Sequence, residues 1–213
     1  MNRRGAIAAA ALLVVVAAVW LARRPERLNA WPIRNLPVDA GPILCFGDSL
    51  VEGVGASAAG ETYPAQLGVL LGRQVVAHGV AGMTTQDGRR RLDETPALRA
   101  PLVVVTLGGN DILRRTALDE TLANLEAIFT ELQDRGCVVA YCEVLGVVAG
   151  KRAKRHRELC RRLGVILIPD VLDDILGQDD MISDSIHPND QGYRLMAGRV
   201  AAVLEPFLNG SAP

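Results

Sequence analysis

Five short apolar runs, each separated from the next by an amphipathic stretch, constrain this chain more than any other feature. Ile43–Phe46, Gln74–Ala77, Leu102–Leu107, Val138–Cys142 and Val165–Ile168 read as buried strands. Tyr63–Leu71, Thr85–Glu94, Leu118–Arg135, Ala153–Leu163 and Gln191–Leu208 read as helices. Strands that are apolar on both faces need cover on both faces, and strand–helix alternation supplies it through crossover connections. The pattern predicts an α/β fold built on a parallel, doubly wound sheet. Leu, Val and Ala dominate and aromatics make up only 4% of the chain, which suits aliphatic strands under helices. With 213 residues there is room for one domain plus an extension, with a core that needs no staples. There are no internal repeats.

In such sheets ligands bind beyond the carboxyl ends of the strands. Four blocks lie there. Gly47-Asp48-Ser49-Leu50 follows the first strand and Gly79-Val80-Ala81-Gly82-Met83-Thr84 the second. Gly108-Gly109-Asn110-Asp111 follows the third, and Asp184-Ser185-Ile186-His187 follows the fifth after a loop. A serine hydroxyl is a poor nucleophile until a base takes its proton, and the base needs a third group to orient it. Ser49, His187 and Asp184 are candidates for these three roles. Within one turn, the Asp184 carboxylate can reach Nδ1–H of His187 and leave Nε2 free as the base. Asp179 and Asp180 are rival partners for His187. Pro188 stiffens the turn that carries the histidine.

Ser49 would stand at the start of a helix, where its backbone N–H can face a developing oxyanion. The Gly82 N–H and the Asn110 side-chain amide are the other donor candidates. Asp111 reads as a cap or brace for its loop. Taken singly, the first block is equally an ordinary strand-to-helix turn with a serine cap, and the second a plain turn. His78, beside the Gly79 turn, could touch substrate but reads rather as structural, and His156 reads as solvated on a basic helix. Asn189 and Asp190 are candidate N-caps for the last helix.

The first 24 residues stand apart as an anchor or signal segment. Gly5–Ala22 carries no charge and is bracketed by Arg3-Arg4 and Arg23-Arg24. As a helix it would span about 27 Å, near the hydrocarbon thickness of a bilayer. No good small-x-small cleavage site follows it, which favours an uncleaved transmembrane anchor over a signal peptide. Residues 25–39, with three prolines, read as a linker or strap, and 40–210 as the catalytic domain. The net charge of −1 gives no argument for nucleic acid. The four cysteines have no metal spacing and read as buried thiols. Lys151–Arg162 holds seven Lys or Arg and one Glu, and reads as a solvated face balanced by the acidic stretch 170–184; contact with lipid headgroups is the sharper alternative.

Together the four blocks resemble the SGNH hydrolase superfamily, the GDSL esterases and lipases, over residues 42 to 208. Within it the chain is similar to the bacterial arylesterase, thioesterase and lysophospholipase branch, through Ile43–Leu50, Leu107–Asp111 and Asp184–Asn189. The resemblance implies a three-layer, flavodoxin-like α/β/α sandwich with strand order 2-1-3-4-5. It implies Ser49 as nucleophile, His187 as base and Asp184 as orienter. Ser49, Gly82 and Asn110 would form the oxyanion hole. It implies a small-molecule or lipid ester as substrate, hydrolysis of carboxylic ester or thioester bonds, no cofactor and no metal. A monomer is expected, tethered to the cell membrane with its catalytic domain on the periplasmic side. Two departures stand out. Ala77 occupies a position that is usually Asn in this branch, and the loop 143–150 after the fourth strand is short. In relatives that loop is longer and helps to form the acyl pocket.

Three alternatives compete with this reading. A carbohydrate O-acetyl esterase would use the same site, and a short loop suits a short acyl group. A nucleotide-binding module would use the same sheet edge, but no G-x-x-x-x-G-K-[ST] is present and Gly53-Val54-Gly55 is too sparse for a dinucleotide loop. A catalytically inactive interaction domain would leave the four intact blocks without a purpose.

Overall fold

The computed structural model describes residues 28–144 and 150–211. The chain divides into two compact units, Met1–Ala30 and Trp31–Pro213. Of the first unit only residues 28–30 are described, and the expected anchor at Gly5–Ala22 lies outside the described residues. Among those that are described, no helix is long and apolar enough to cross a membrane.

The second unit contains five strands and seven α-helices among the described residues. In chain order they are β1 (Ile43–Gly47), α1 (Ser49–Glu52), α2 (Tyr63–Leu71), β2 (Val75–Gly79), α3 (Thr85–Glu94), β3 (Leu102–Thr106), α4 (Gly109–Leu113), α5 (Leu118–Asp134), β4 (Val138–Cys142), α6 (Lys151–Leu163), β5 (Ile166–Ile168) and α7 (Asp190–Leu208). All strand pairs are parallel, and the sheet order is β2-β1-β3-β4-β5. Side chains alternate across a strand, so Ile43, Cys45, Leu102, Val104, Val138 and Ala140 face one layer. There they meet Tyr63 and Leu67 of α2 and Tyr193, Met196 and Val200 of α7. The opposite residues, including Phe46, Val105 and Tyr141, are equally buried. Phe129 of α5 packs on Tyr141, with ring centroids 5.4 Å apart. Gly88 lets α3 approach the sheet closely: a Cβ there would sit 2.7 Å from Leu107 Cδ1.

Several expectations need correction. The second strand is not fully buried; among the described residues it is the sheet edge, pairs only with β1, and leaves Val76 42% exposed. It also runs on to Gly79, because the parallel register with β1 matches Phe46 to His78 and Gly47 to Gly79. These two residues have no apolar signature, so hydropathy alone ends the strand too early. His156 is buried rather than solvated, with 2% exposure. It lies on the inner face of α6, edge-on to Tyr141, with Nδ1 3.5 Å from Glu143 Oε1. Two of the charges of α6 are met by α5 rather than by the stretch 170–184: Arg155 pairs with Asp119 at 2.9 Å and Arg162 with Glu126 at 2.7 Å. α5 and α6 are neighbours on the same layer, and proximity along the chain did not reveal that.

Within the second unit, residues 31–35 are tied to the segments around β4 and β5. The Trp31 indole N–H donates to the Val165 carbonyl at 3.0 Å, and the Arg34 N–H to the Gly164 carbonyl at 2.9 Å. The Asn35 amide donates to the carbonyls of Gln133 and Cys137. All four cysteines are free and buried, and burial pushes the Cys45 thiol up to about 12.

Candidate active site

β1 ends at Gly47, and its neighbour β3 sets the residue type there. A Cβ at position 47 would fall 2.2 Å from the Thr106 carbonyl oxygen. A close approach of two strands, rather than backbone freedom, therefore demands glycine. Asp48 follows as the N-cap of α1, its Oδ1 accepting the Leu50 N–H at 3.0 Å. Ser49 is thus the first residue of a one-turn helix at the carboxyl edge of the sheet and is 9% exposed.

His187 arrives from the far end of the chain. Its Nε2 lies 3.0 Å from Ser49 Oγ, and its Nδ1 lies 2.7 Å from Asp184 Oδ2. A carboxylate only accepts, so Nδ1 carries the proton and Nε2 is left to accept from the serine hydroxyl. Asp184 Oδ1 accepts two more bonds, from the N–H groups of Ile186 and His187 at 2.9 and 2.8 Å. These bonds, that from His187 first, hold the Asp184 carboxyl down at about 2. Asp180, one of the rival partners, instead offers its carbonyl to the Asn189 amide at 2.8 Å.

The segment that carries His187 is clamped from two sides. A Cβ on Gly55 would fall 2.2 Å from Ser183 Oγ, and one on Gly192 would fall 2.3 Å from the Met181 carbonyl. Asp190 accepts from Ser57 N–H and Oγ–H at 2.7 and 2.6 Å, and the Tyr193 hydroxyl donates to the Val54 carbonyl at 2.6 Å. These ties bridge more than 130 residues of chain and hold the start of α7 against the loop after α1. Sequence reading missed Gly55, Ser57 and Tyr193 as site-supporting residues. Only the glycine spacing at 53 and 55 hinted at it, and that spacing fits no cofactor loop. Asn189 caps α7 as expected, accepting from the N–H groups of Gln191 and Gly192.

The second and third blocks are tied to the first and to each other. The Val80 N–H donates to the Gly47 carbonyl at 3.0 Å, and the Ala81 N–H to the Glu52 carboxylate. Gly82 is left-handed, at φ +78°. The Gly82 carbonyl accepts from Arg114 at 2.9 Å. The Asn110 amide donates to Asp48 Oδ2 at 3.2 Å and to the Met83 carbonyl at 3.1 Å. No described hydrogen bond engages the backbone N–H of Ser49 or Gly82. Asp111 braces the loop from inside, accepting from the Thr85 N–H and hydroxyl at 2.9 and 2.5 Å. His78 stacks on Phe46 and accepts from Arg91 at 3.0 Å, which is a structural role. Among the described residues no group of three His, Cys, Asp or Glu could hold a metal ion.

A hydroxyl, an imidazole and a carboxylate in one hydrogen-bonded line can deliver an activated oxygen to a carbonyl carbon. The chain is similar to known proteins. A profile of the GDSL-like Lipase/Acylhydrolase family matches residues 45–195. Thioesterase 1/protease 1/lysophospholipase L1 of Escherichia coli (strain K12) is 29% identical over 180 residues, spanning 80% of this chain and 86% of that protein. The crystal structure of TesA superposes with a TM-score of 0.72 at 26% identity, covering 78% of this chain and 99% of that one. AlinE4, an SGNH-hydrolase family esterase, gives a TM-score of 0.61 at 27% identity, covering 82% and 98%. The chain belongs to the GDSL-like lipase/acylhydrolase family and is an ester-bond hydrolase.

Proposed function

We propose that this chain is a serine esterase that cleaves carboxylic ester or thioester bonds through an acyl-enzyme on Ser49. The line Ser49 Oγ–His187 Nε2–His187 Nδ1–Asp184 Oδ2, with contacts of 3.0 and 2.7 Å, carries the reading. Ser49 attacks the carbonyl carbon as His187 takes its proton. The resulting imidazolium faces an Asp184 carboxylate that stays charged at any working pH. The backbone N–H groups of Ser49 and Gly82 and the Asn110 amide hold the oxyanion. His187 then protonates the departing alkoxide or thiolate, and water repeats the cycle on the acyl-enzyme. The kinship with a thioesterase and lysophospholipase favours acyl esters of small molecules or lipids as substrates.

Exposed apolar residues accompany three of the four blocks: Val80 and Ile186, each 38% exposed, and Leu113, 57% exposed. They fit an apolar acyl group better than a sugar. An acetyl, butyryl and octanoyl ester panel separates the two. A rate that rises with acyl length supports the acyl-ester reading, and a preference for acetyl supports carbohydrate O-deacetylation. The decisive experiment is labelling of the wild type and Ser49→Ala with a fluorophosphonate probe. Stoichiometric labelling of the wild type alone is expected. A folded wild type that takes no label sinks the reading.

The apolar stretch Gly5–Ala22 is read as a single-pass anchor that leaves a monomeric domain, residues 40–210, on the periplasmic side. Full-length chain that stays in the membrane pellet after an alkaline carbonate wash supports the anchor; release into the supernatant overturns it.

A further inference from the structure

Asp48 has a second carboxylate oxygen that its capping role does not use. Oδ1 alone receives the Leu50 N–H and so completes the cap of α1. Serine or asparagine caps a helix as well as aspartate does, without bringing a charge into the interior. Yet the Asp48 side chain is 2% exposed, and no Lys or Arg among the described residues pairs with it. A buried carboxylate without such a partner is unfavourable unless its acceptor capacity is used.

Oδ2 is used on Asn110. The Asn110 Nδ2 carries two hydrogens: one is held by the Asp48 Oδ2 carboxylate at 3.2 Å, and the other rests on the neutral Met83 carbonyl at 3.1 Å, the acceptor it can exchange for a substrate oxyanion. The two acceptors come from different blocks, so together they fix the plane of the amide and decide which way its N–H groups point. We propose that Asp48 is a positioning residue, whose Oδ2 keeps one N–H of the Asn110 amide and thereby orients the other, which turns from the Met83 carbonyl to the substrate oxyanion. This rests on the esterase reading of the Ser49 site.

The surroundings of the carboxylate agree. Burial pushes the Asp48 carboxyl up to about 6, against the lowering effect of the Leu50 N–H, the charge of His187 and the Asn110 amide. The charged and titratable groups that face it are His187, from the loop before α7, and Tyr193 on α7. Below that pH a protonated Oδ2 is a weaker acceptor and releases the amide.

Asp48→Asn tests the proposal, because asparagine keeps the size but offers an acceptor on one side only. The expected result is a kcat at least tenfold lower at pH 8 with KM within twofold. In an Asn110→Ala background the same substitution should change kcat less than twofold, since the group through which Asp48 acts is gone. An unchanged kcat in the single variant overturns the proposal, and so does an undiminished loss in the double variant. Fluorophosphonate labelling of the wild type reports on Ser49 separately, so the esterase reading can stand while this inference fails. Where Asp48→Asn does not fold, the ¹⁵N-resolved side-chain amide of Asn110 is followed from pH 4 to 8 in full-length His187→Gln, which removes the imidazolium. Amide hydrogens that move with a single midpoint, higher than in the wild type because the lowering charge of His187 is gone, support the contact. Resonances that stay flat overturn it.

Discussion

Asp184 and Asp48 show how the same side chain takes opposite characters at two positions. Asp184 is half exposed, accepts three hydrogen bonds and is held at about 2. Its depressed value means that what its charge contributes to folding is present above the unfolded value of about 4 and is lost as pH falls towards 2. Its ionisation therefore does not shape activity near neutrality. Asp184→Asn should lower kcat by roughly 10² to 10⁴ across the whole pH range, read from pH–rate profiles, because the His187 tautomer loses its orienting acceptor. Asp48 runs the other way. Its folded-state value is raised, so the fold binds an extra proton between about 4 and 6, and stability falls as pH rises through that window. Asn110 is the third case. Asn110→Ala should lower kcat by about 10² or more with little change in KM, which steady-state kinetics will read. A loss confined to KM would take Asn110 out of the oxyanion hole. The three residues are conspicuous in the sequence as block members, but their environments are not. Nothing local to Asp48 says that it is buried.

At the level of elements, glycine does most of the positioning by permitting close approach. Gly79 ends β2 where a Cβ would sit 2.3 Å from the Glu52 N–H nitrogen and 2.8 Å from the Asp48 carbonyl. Both contacts are backbone, so neither can swing away. Gly79→Ala should therefore destabilise the domain by about 1 to 3 kcal/mol and misplace α1, lowering both the melting temperature and the labelling rate of Ser49. A variant with wild-type values on both measures would show that the edge strand can shift instead. The strands and long helices were legible because periodicity and apolar runs report burial directly. Their ends were less so. β2 continues through His78 and Gly79, and α6 begins at Lys151, because register and caps decide ends.

Over the whole molecule, the site depends on chain segments far apart in sequence being held together. A buried contact behind the third block illustrates this. Glu143, just after β4, and His156, on α6, are both 2% exposed, and Tyr141 lies against His156 while donating to the Leu107 carbonyl at 3.2 Å. Removing one side of such a pair leaves the other buried without a partner. His156→Ala should cost about 3 kcal/mol or more, seen as a lower midpoint in denaturant, while His156→Ala with Glu143→Gln should recover part of it. Equal midpoints for the two variants would show that the residues do not act as a pair. The sequence by itself determined the sheet, its helical cover, the four blocks and their order, because each is written in local periodicity or in a short motif. Only the tertiary structure decided that Asp184, not Asp179 or Asp180, meets His187, that Asp48 reaches Asn110, that His156 is buried, and that Gly55, Ser57 and Tyr193 clamp the loop carrying the histidine. Those are contacts between residues tens to more than a hundred positions apart, or choices among near neighbours. They are set by packing and strand register, which no short stretch of sequence contains.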